Sequence, residues 1–141
     1  MPSEATVLLN IVSGLMFVHS RGLAHRNIEP KNILISSTLP VFIKLADFGL
    51  SKPVNTSGSF SVSRDHPVES TLCWKAPEML DHTDDEAFSE KRGSIASDTF
   101  SAGCVFFYFL TPGWHPFGHL SSEFSTRKNI SEGRPVYLKR T

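Results

Sequence analysis

The stretch from Ser97 to Leu110, reading Ser-Asp-Thr-Phe-Ser-Ala-Gly-Cys-Val-Phe-Phe-Tyr-Phe-Leu, constrains the fold more than any other. It predicts a helix over 97–110, opened by Ser97 or Asp98 and stopped by Thr111-Pro112-Gly113. The helix is apolar nearly all round, and such a helix belongs in the centre of a domain, wrapped by other elements. Its longest apolar run, Cys104 to Leu110, is far shorter than the ~18 residues that suggest a membrane span. It therefore reads as a core helix and not as a membrane segment. A chain of 141 residues with 40% hydrophobic and 20% charged residues can supply the wrapping within one domain. Lysine plus arginine balance aspartate plus glutamate at 14 each, so the total charge carries no basic nucleic-acid footprint. A net charge near zero also removes one protection against self-association.

The wrapping elements are predicted mainly helical, with a few strands, an α+β class. Val7, Leu8, Ile11, Val12, Leu15, Met16 and Val18 recur at helical spacing, predicting a long helix over 3–19 with Ser3 as N-cap. Gly22 suits a reversal after it. Residues 32–36 and 41–46 read as two strands joined as a hairpin through Ser37-Thr38-Leu39-Pro40. Residues 55–70 are serine-rich with Gly58 and Pro67, and read as a mobile loop. A short helix is expected at 76–80, with Pro77 at its start, then a polar, acid-rich connector over 81–94. An amphipathic helix over 121–132, ending at Gly133-Arg134-Pro135, completes the pattern.

Cys73 and Cys104 match neither a disulfide framework nor a zinc motif, and read as reduced thiols. Pro116 and Gly118 break any helix that would align His115 with His119 on one face, so no zinc site is expected there. The N-terminus has no basic n-region and no signal-peptide pattern. A cytoplasmic location is the expectation. No finger or aromatic-stacking motif points to nucleic acid.

Three short motifs then occur in a telling order. His25-Arg26-Asn27-Ile28-Glu29-Pro30-Lys31-Asn32 precedes the first hairpin strand. Asp47-Phe48-Gly49 follows the second, and Ala76-Pro77-Glu78 comes after the serine-rich loop. Each is weak alone, but the order resembles the catalytic loop, DFG and APE of protein kinases. The chain resembles the C-terminal lobe of a eukaryotic protein kinase. Thr71 to Glu78 resembles the substrate-docking segment, Asp98 to Gly103 the start of the lobe's central helix, and His115-Pro116-Phe117-Gly118 the loop after it. Pro30 and Thr71 look like the serine/threonine branch. Ser13-Gly14-Leu15, Val18-His19-Ser20, Phe100 to Phe106 and Asn129-Ile130 resemble the inositol-requiring-enzyme type of stress-sensor kinase/ribonuclease.

The resemblance implies ATP and Mg²⁺ as cofactors and a protein as the other substrate once a small lobe is supplied, with a kinase-type dimer as a further expectation. Phosphoryl transfer needs positioned metal ions, neutralised phosphate charge and an oriented hydroxyl. By resemblance, Asp47 and Asn32 would hold Mg²⁺, Leu34 would lie beneath the adenine, and His25 and Phe48 would stack in the column linking the lobes. Residues 47–78 would form the activation segment. Arg26 would face it and could pair a phosphate placed on Ser59, Ser61, Ser63, Ser70 or Thr71.

The departures from that pattern are as informative. Asn27 stands at the position of the catalytic aspartate, where it keeps the shape but is no carboxylate base. Glu29 stands at the position of the phosphate-contacting lysine and inverts its charge. No glycine-rich phosphate loop and no Val-Ala-Ile-Lys-type strand occur in the sequence. The resemblance therefore implies an incomplete lobe, without the small lobe and without the last helices of the large one. It leaves Glu78 without its usual arginine, Arg134 coming too early, so the region of Glu78 is expected loosened or exposed. The sequence leaves open whether the apolar face around Leu34 and Phe48 is covered, and an uncovered patch there would imply a partner or aggregation. Three readings follow: a piece of a serine/threonine kinase, a pseudokinase interaction or dimerisation module, and a truncated product without independent function. Asn27 and Glu29 together favour impaired phosphotransfer.

Overall fold

In a computed structural model, which describes residues 1–61, 69–80 and 92–138, the chain begins with helix α1 (Glu4–Ser20). Ser3 caps it, its hydroxyl accepting from the Thr6 amide at 3.2 Å. Val7, Ile11, Leu15 and Val18 form the buried stripe, while Leu9, Val12, Met16 and Phe17 remain exposed on other faces. Gly22, at φ +70°, turns the chain out of the helix, a backbone region that suits glycine.

Strand β1 (Leu23–Ala24) pairs antiparallel with β4 (Lys52–Pro53). Between them lie the 25–32 loop and a hairpin of β2 (Ile33–Ile35) and β3 (Ile43–Leu45), in register Ile33 with Leu45 and Ile35 with Ile43. A two-stranded hairpin is marginal by itself. Here α1 covers it, and the Asn10 carboxamide oxygen accepts from the Ile43 amide at 3.0 Å.

Beyond β4 the structure departs from the predicted loop. Ser59–Ser61 forms β5, antiparallel to β6 (Arg92–Ser94), so the serine-rich stretch contains a strand and the acidic connector ends in one. The pairing is long-range, with Phe60 opposite Gly93, and local composition does not encode it. Residues 62–68 of the predicted loop, Ser63 among them, and 81–91 of the connector lie outside the described residues. A 3₁₀ segment (Glu69–Trp74) leads to the short helix α2 (Pro77–Leu80), as predicted from Pro77.

The central helix α3 runs Ile95–Leu110, starting two residues before the predicted Ser97. Ser94 is the N-cap in a capping box with Ser97: the Ser94 hydroxyl accepts at the first turn, and Ser97 Oγ accepts from the Ser94 amide at 3.2 Å. Ser97 thus serves the helix start from inside it. Helix α4 (Glu123–Ser131) is the last helix among the described residues and buries Thr126 and Ile130.

The main core joins α1, the hairpin and α3 through Val7, Ile11, Leu15, Ile28, Ile43, Trp74, Ala102, Cys104 and Val105. A smaller core of Ala24, Phe60, Ala76 and Met79 sits under β5 and α2. Full burial of each large aliphatic side chain contributes roughly 1.5–3 kcal/mol. Both cysteines are buried and free, and burial pushes the Cys73 thiol up to about 11 and the Cys104 thiol up to about 12. No helix among the described residues is long and apolar enough to cross a membrane.

Candidate functional site

The 25–32 loop is held by the first turns of α3. Asp98, 2% exposed, accepts from the His25 amide through one carboxylate oxygen and from the Arg26 amide through the other, each at 2.8 Å. The oxygen that takes the His25 amide also meets His19 Nε2 at 2.8 Å. One buried carboxylate thereby ties α1, the loop and α3 together, and it sits near a helix N-terminus where negative charge is favoured. Arg26, at φ +69°, turns the loop at that anchor. The Lys75 ammonium donates to the Arg26 carbonyl at 2.6 Å. Burial, then the nearby Arg26 guanidinium, lower the Lys75 pKa to about 8, against the opposing pull of Glu29 and Asp98.

His25 is fully buried. Its Nε2–H donates to the Ala46 carbonyl at 3.0 Å, and its Nδ1 accepts from the Asn27 amide at 3.2 Å. That pair of roles requires the neutral imidazole, in line with a pKa lowered chiefly by burial. The His25 and Phe48 rings meet edge to face with centroids 4.8 Å apart. The expected contact between these two residues is therefore present.

Asn27, Asn32 and Asp47 come together at the mouth of the loop. The Asn32 amide donates to the Asn27 carbonyl at 2.8 Å, leaving the Asn32 carboxamide oxygen outside that bond. The Asn27 side-chain amide donates to Asp47 Oδ2 at 3.2 Å. Asp47 is exposed, stands at φ +60°, and receives a long 3.4 Å contact from the Gly49 amide on its other oxygen. A non-glycine residue in that backbone region is uncommon and costs energy. Glu29 points inward at 3% exposure, with one carboxylate oxygen 2.7 Å from the ammonium of exposed Lys31. Arg26, Asn27, Ile28, Glu29, Trp74, Lys75 and Ser101 enclose only about 10 Å³, room for about one water.

The other expected site residues lie apart. Leu34 is half exposed on β2, and Phe48 is equally open. The Arg26 guanidinium lies 5.0 Å from the Phe60 ring centroid and donates to the Leu50 carbonyl at 3.1 Å, which places it against the segment that follows Asp47. Glu78 is exposed, as expected, but it is not without a partner: it accepts from Ser97 Oγ at 2.6 Å. Arg134 pairs with Glu132 at 2.9 Å instead. Thr71 falls within the 3₁₀ segment, and its side chain lies outside the described residues. Lys75 and the anchoring role of Asp98 were not foreseen. An acid in the first turn of an otherwise apolar helix was the one signal for Asp98, and nothing local marks Lys75.

Comparison with known proteins places this geometry. Residues 3–139 match the protein kinase domain family. The chain is 38% identical over 112 residues to the serine/threonine-protein kinase/endoribonuclease IRE1 of Oryza sativa subsp. japonica, covering 79% of this chain and 12% of that protein. It is 38% identical over 132 residues to IRE2 of Homo sapiens, which bears the same description, covering 92% of this chain and 13% of that protein. It is 31% identical over 145 residues to the sensor for unfolded proteins in the ER, ire1, of Schizosaccharomyces pombe, covering 91% and 13%. The chain spans about one eighth of the length of these curated relatives. With the loop, the Asp47-Phe48-Gly49 turn and the central helix assembled in the order the motifs imply, the chain belongs to the protein kinase domain family.

Proposed function

We propose that this chain is a protein kinase element whose loop has lost phosphotransfer chemistry while keeping the residues that face metal and nucleotide. Transfer of phosphate from ATP to a protein serine or threonine is the reaction implied by its relatives. The family generally uses ATP and Mg²⁺. Asp47 and Asn32 would hold the cation here, one by a carboxylate and the other by its carboxamide oxygen. The donor set fits a hard, oxygen-seeking ion that brings its phosphates with it, since Mg²⁺ is usually held by one or two carboxylates plus substrate phosphates. Among the described residues no cluster of three or more His, Cys, Asp or Glu offers a metal cage independent of a nucleotide. Mg²⁺, when bound, supplies neutralisation of phosphate charge.

The observation that carries the proposal is the Asn27 side chain. It occupies the position of the group that receives or orients the acceptor hydroxyl, and it presents N–H to Asp47 at 3.2 Å. A carboxamide has no basic lone pair to take a proton, and general-base help contributes roughly 10²–10⁴-fold. Glu29 compounds the loss. Its carboxylate is buried against Lys31 where the family presents a cation to the phosphate. The reading carries with it a cytoplasmic site of action, where ATP and protein acceptors meet.

The test is transfer of labelled γ-phosphate from Mg²⁺-ATP to a generic serine/threonine acceptor by the purified chain. Incorporation indistinguishable from that of Asp47→Ala is expected. Clear turnover that Asp47→Ala abolishes would contradict the proposal.

A further inference from the structure

Asn27 does more than omit a base. An aspartate in its place would set two carboxylates about as close as the 3.2 Å contact between Asn27 Nδ2 and Asp47 Oδ2. Two like charges at that distance need a proton or a cation between them. Asn27 supplies the bridging hydrogen itself. Its amide is aimed and not adrift: the residue is 7% exposed, its backbone N–H is spent on His25 Nδ1, and its carbonyl takes the Asn32 amide at 2.8 Å.

We propose that Asn27 is a latch on the cation site, its amide holding the Asp47 carboxylate that a divalent cation would otherwise take. The proposal rests on the reading of Asp47 as the cation's carboxylate ligand. Two effects combine. One carboxylate oxygen already accepts a hydrogen bond, and a cation that took both oxygens would have to break it. The positive end of the amide dipole also lies where a cation would approach, and an N–H offers it no lone pair. The latch gives the site a stable cation-free form, so that nucleotide reaching this lobe would meet a closed Asp47 and not a preloaded metal.

The measurement is Mn²⁺ binding to the 141-residue chain, read from loss of the free-ion electron paramagnetic resonance signal, with no nucleotide and no activity assay. Asn27→Ala removes the latch and is expected to tighten Mn²⁺ about tenfold, the scale of one hydrogen bond to a charged group. Asn27→Asp keeps the side-chain size and is expected to tighten it further, since it adds a second carboxylate. Melting curves establish that each variant is folded, and the Asp variant keeps the test open if the Ala variant does not fold. Unchanged or weaker Mn²⁺ binding by either folded variant would overturn the latch. Mn²⁺ binding that persists undiminished in Asp47→Ala would overturn both the latch and the assignment of Asp47. Tightening in the Asn27 variants that Asp47→Ala abolishes would support both. The latch can fail while phosphotransfer stays absent, so the two proposals are separable.

Discussion

At the scale of single residues, buried ionisable groups do the positioning. Asp98 converts one carboxylate into three contacts, two of them to backbone amides that a loop cannot otherwise satisfy. His115 is the sharpest test of how burial governs charge. It is 1% exposed, its Nδ1 accepts from the Phe117 amide at 3.2 Å, and its ring meets Trp74 at 4.8 Å. Burial lowers its pKa to about 4. The unfolded chain, with an ordinary value near 6.5, then binds more protons than the folded one between these limits. The stability from neutral His115 is therefore complete above about pH 6.5 and is lost as pH falls toward 4, a loss on the order of 3 kcal/mol. His25, also lowered by burial, acts in the same direction. Urea unfolding of the wild type and His115→Leu at pH 7.5 and 4.5 checks this. The wild type is expected to lose clearly more stability than the variant, and equal losses would refute it. The motif residues of the site were legible from their order along the chain. The partners that aim them were not, because Asp98 and Lys75 reach the loop across 72 and 49 residues of sequence.

At the scale of elements, local signals located the helices and missed the strands made by distant partners. Ser3 capped α1 as its type predicts, and Pro77 opened α2. The start of α3 was misplaced because Ser94 and Ser97 both have the chemistry of a cap, and the capping box uses both. Strands β5 and β6 carried no periodic signal, being three residues each and rich in serine, glycine and arginine. What specifies them is the fit of Phe60, 3% exposed, against Gly93. A Cβ on Gly93 would run into the Phe60 ring and the Met79 sulfur at 2.8 Å. Gly93→Ala is expected to destabilise the chain by about 1–3 kcal/mol through overpacking. Gly103 in mid-α3 is the contrast, because a Cβ there meets nothing within 4 Å. Gly103→Ala should stabilise by up to about 1 kcal/mol through helix propensity. Denaturant midpoints of the two variants measure both effects, and a neutral Gly93→Ala would show that the β5–β6 pair contributes little.

At the scale of the whole molecule, the two apolar cores account for a lobe that orders the loop, while several large apolar side chains stay outside them. Leu9, Met16, Leu34, Phe42 and Phe48 are each about half exposed or more. The sequence left open whether the face at Leu34 and Phe48 is covered, and the exposed stripe on α1 was hidden in a helix whose apolar residues occupy two opposite sides. Fold class and the order of the motifs could thus be read from the sequence, but the direction of each side chain required the packed structure. We attribute the loss of phosphotransfer to Asn27 and Glu29, and not to a misassembled loop. The most direct test is to join this chain in frame to the intact small lobe of a related kinase and measure γ-phosphate transfer from Mg²⁺-ATP. The joined protein is expected to be inactive, and Asn27→Asp combined with Glu29→Lys is expected to raise its rate by about 10²-fold or more. Transfer that is already rapid before those substitutions, or that stays absent after them in a folded protein, would contradict the account.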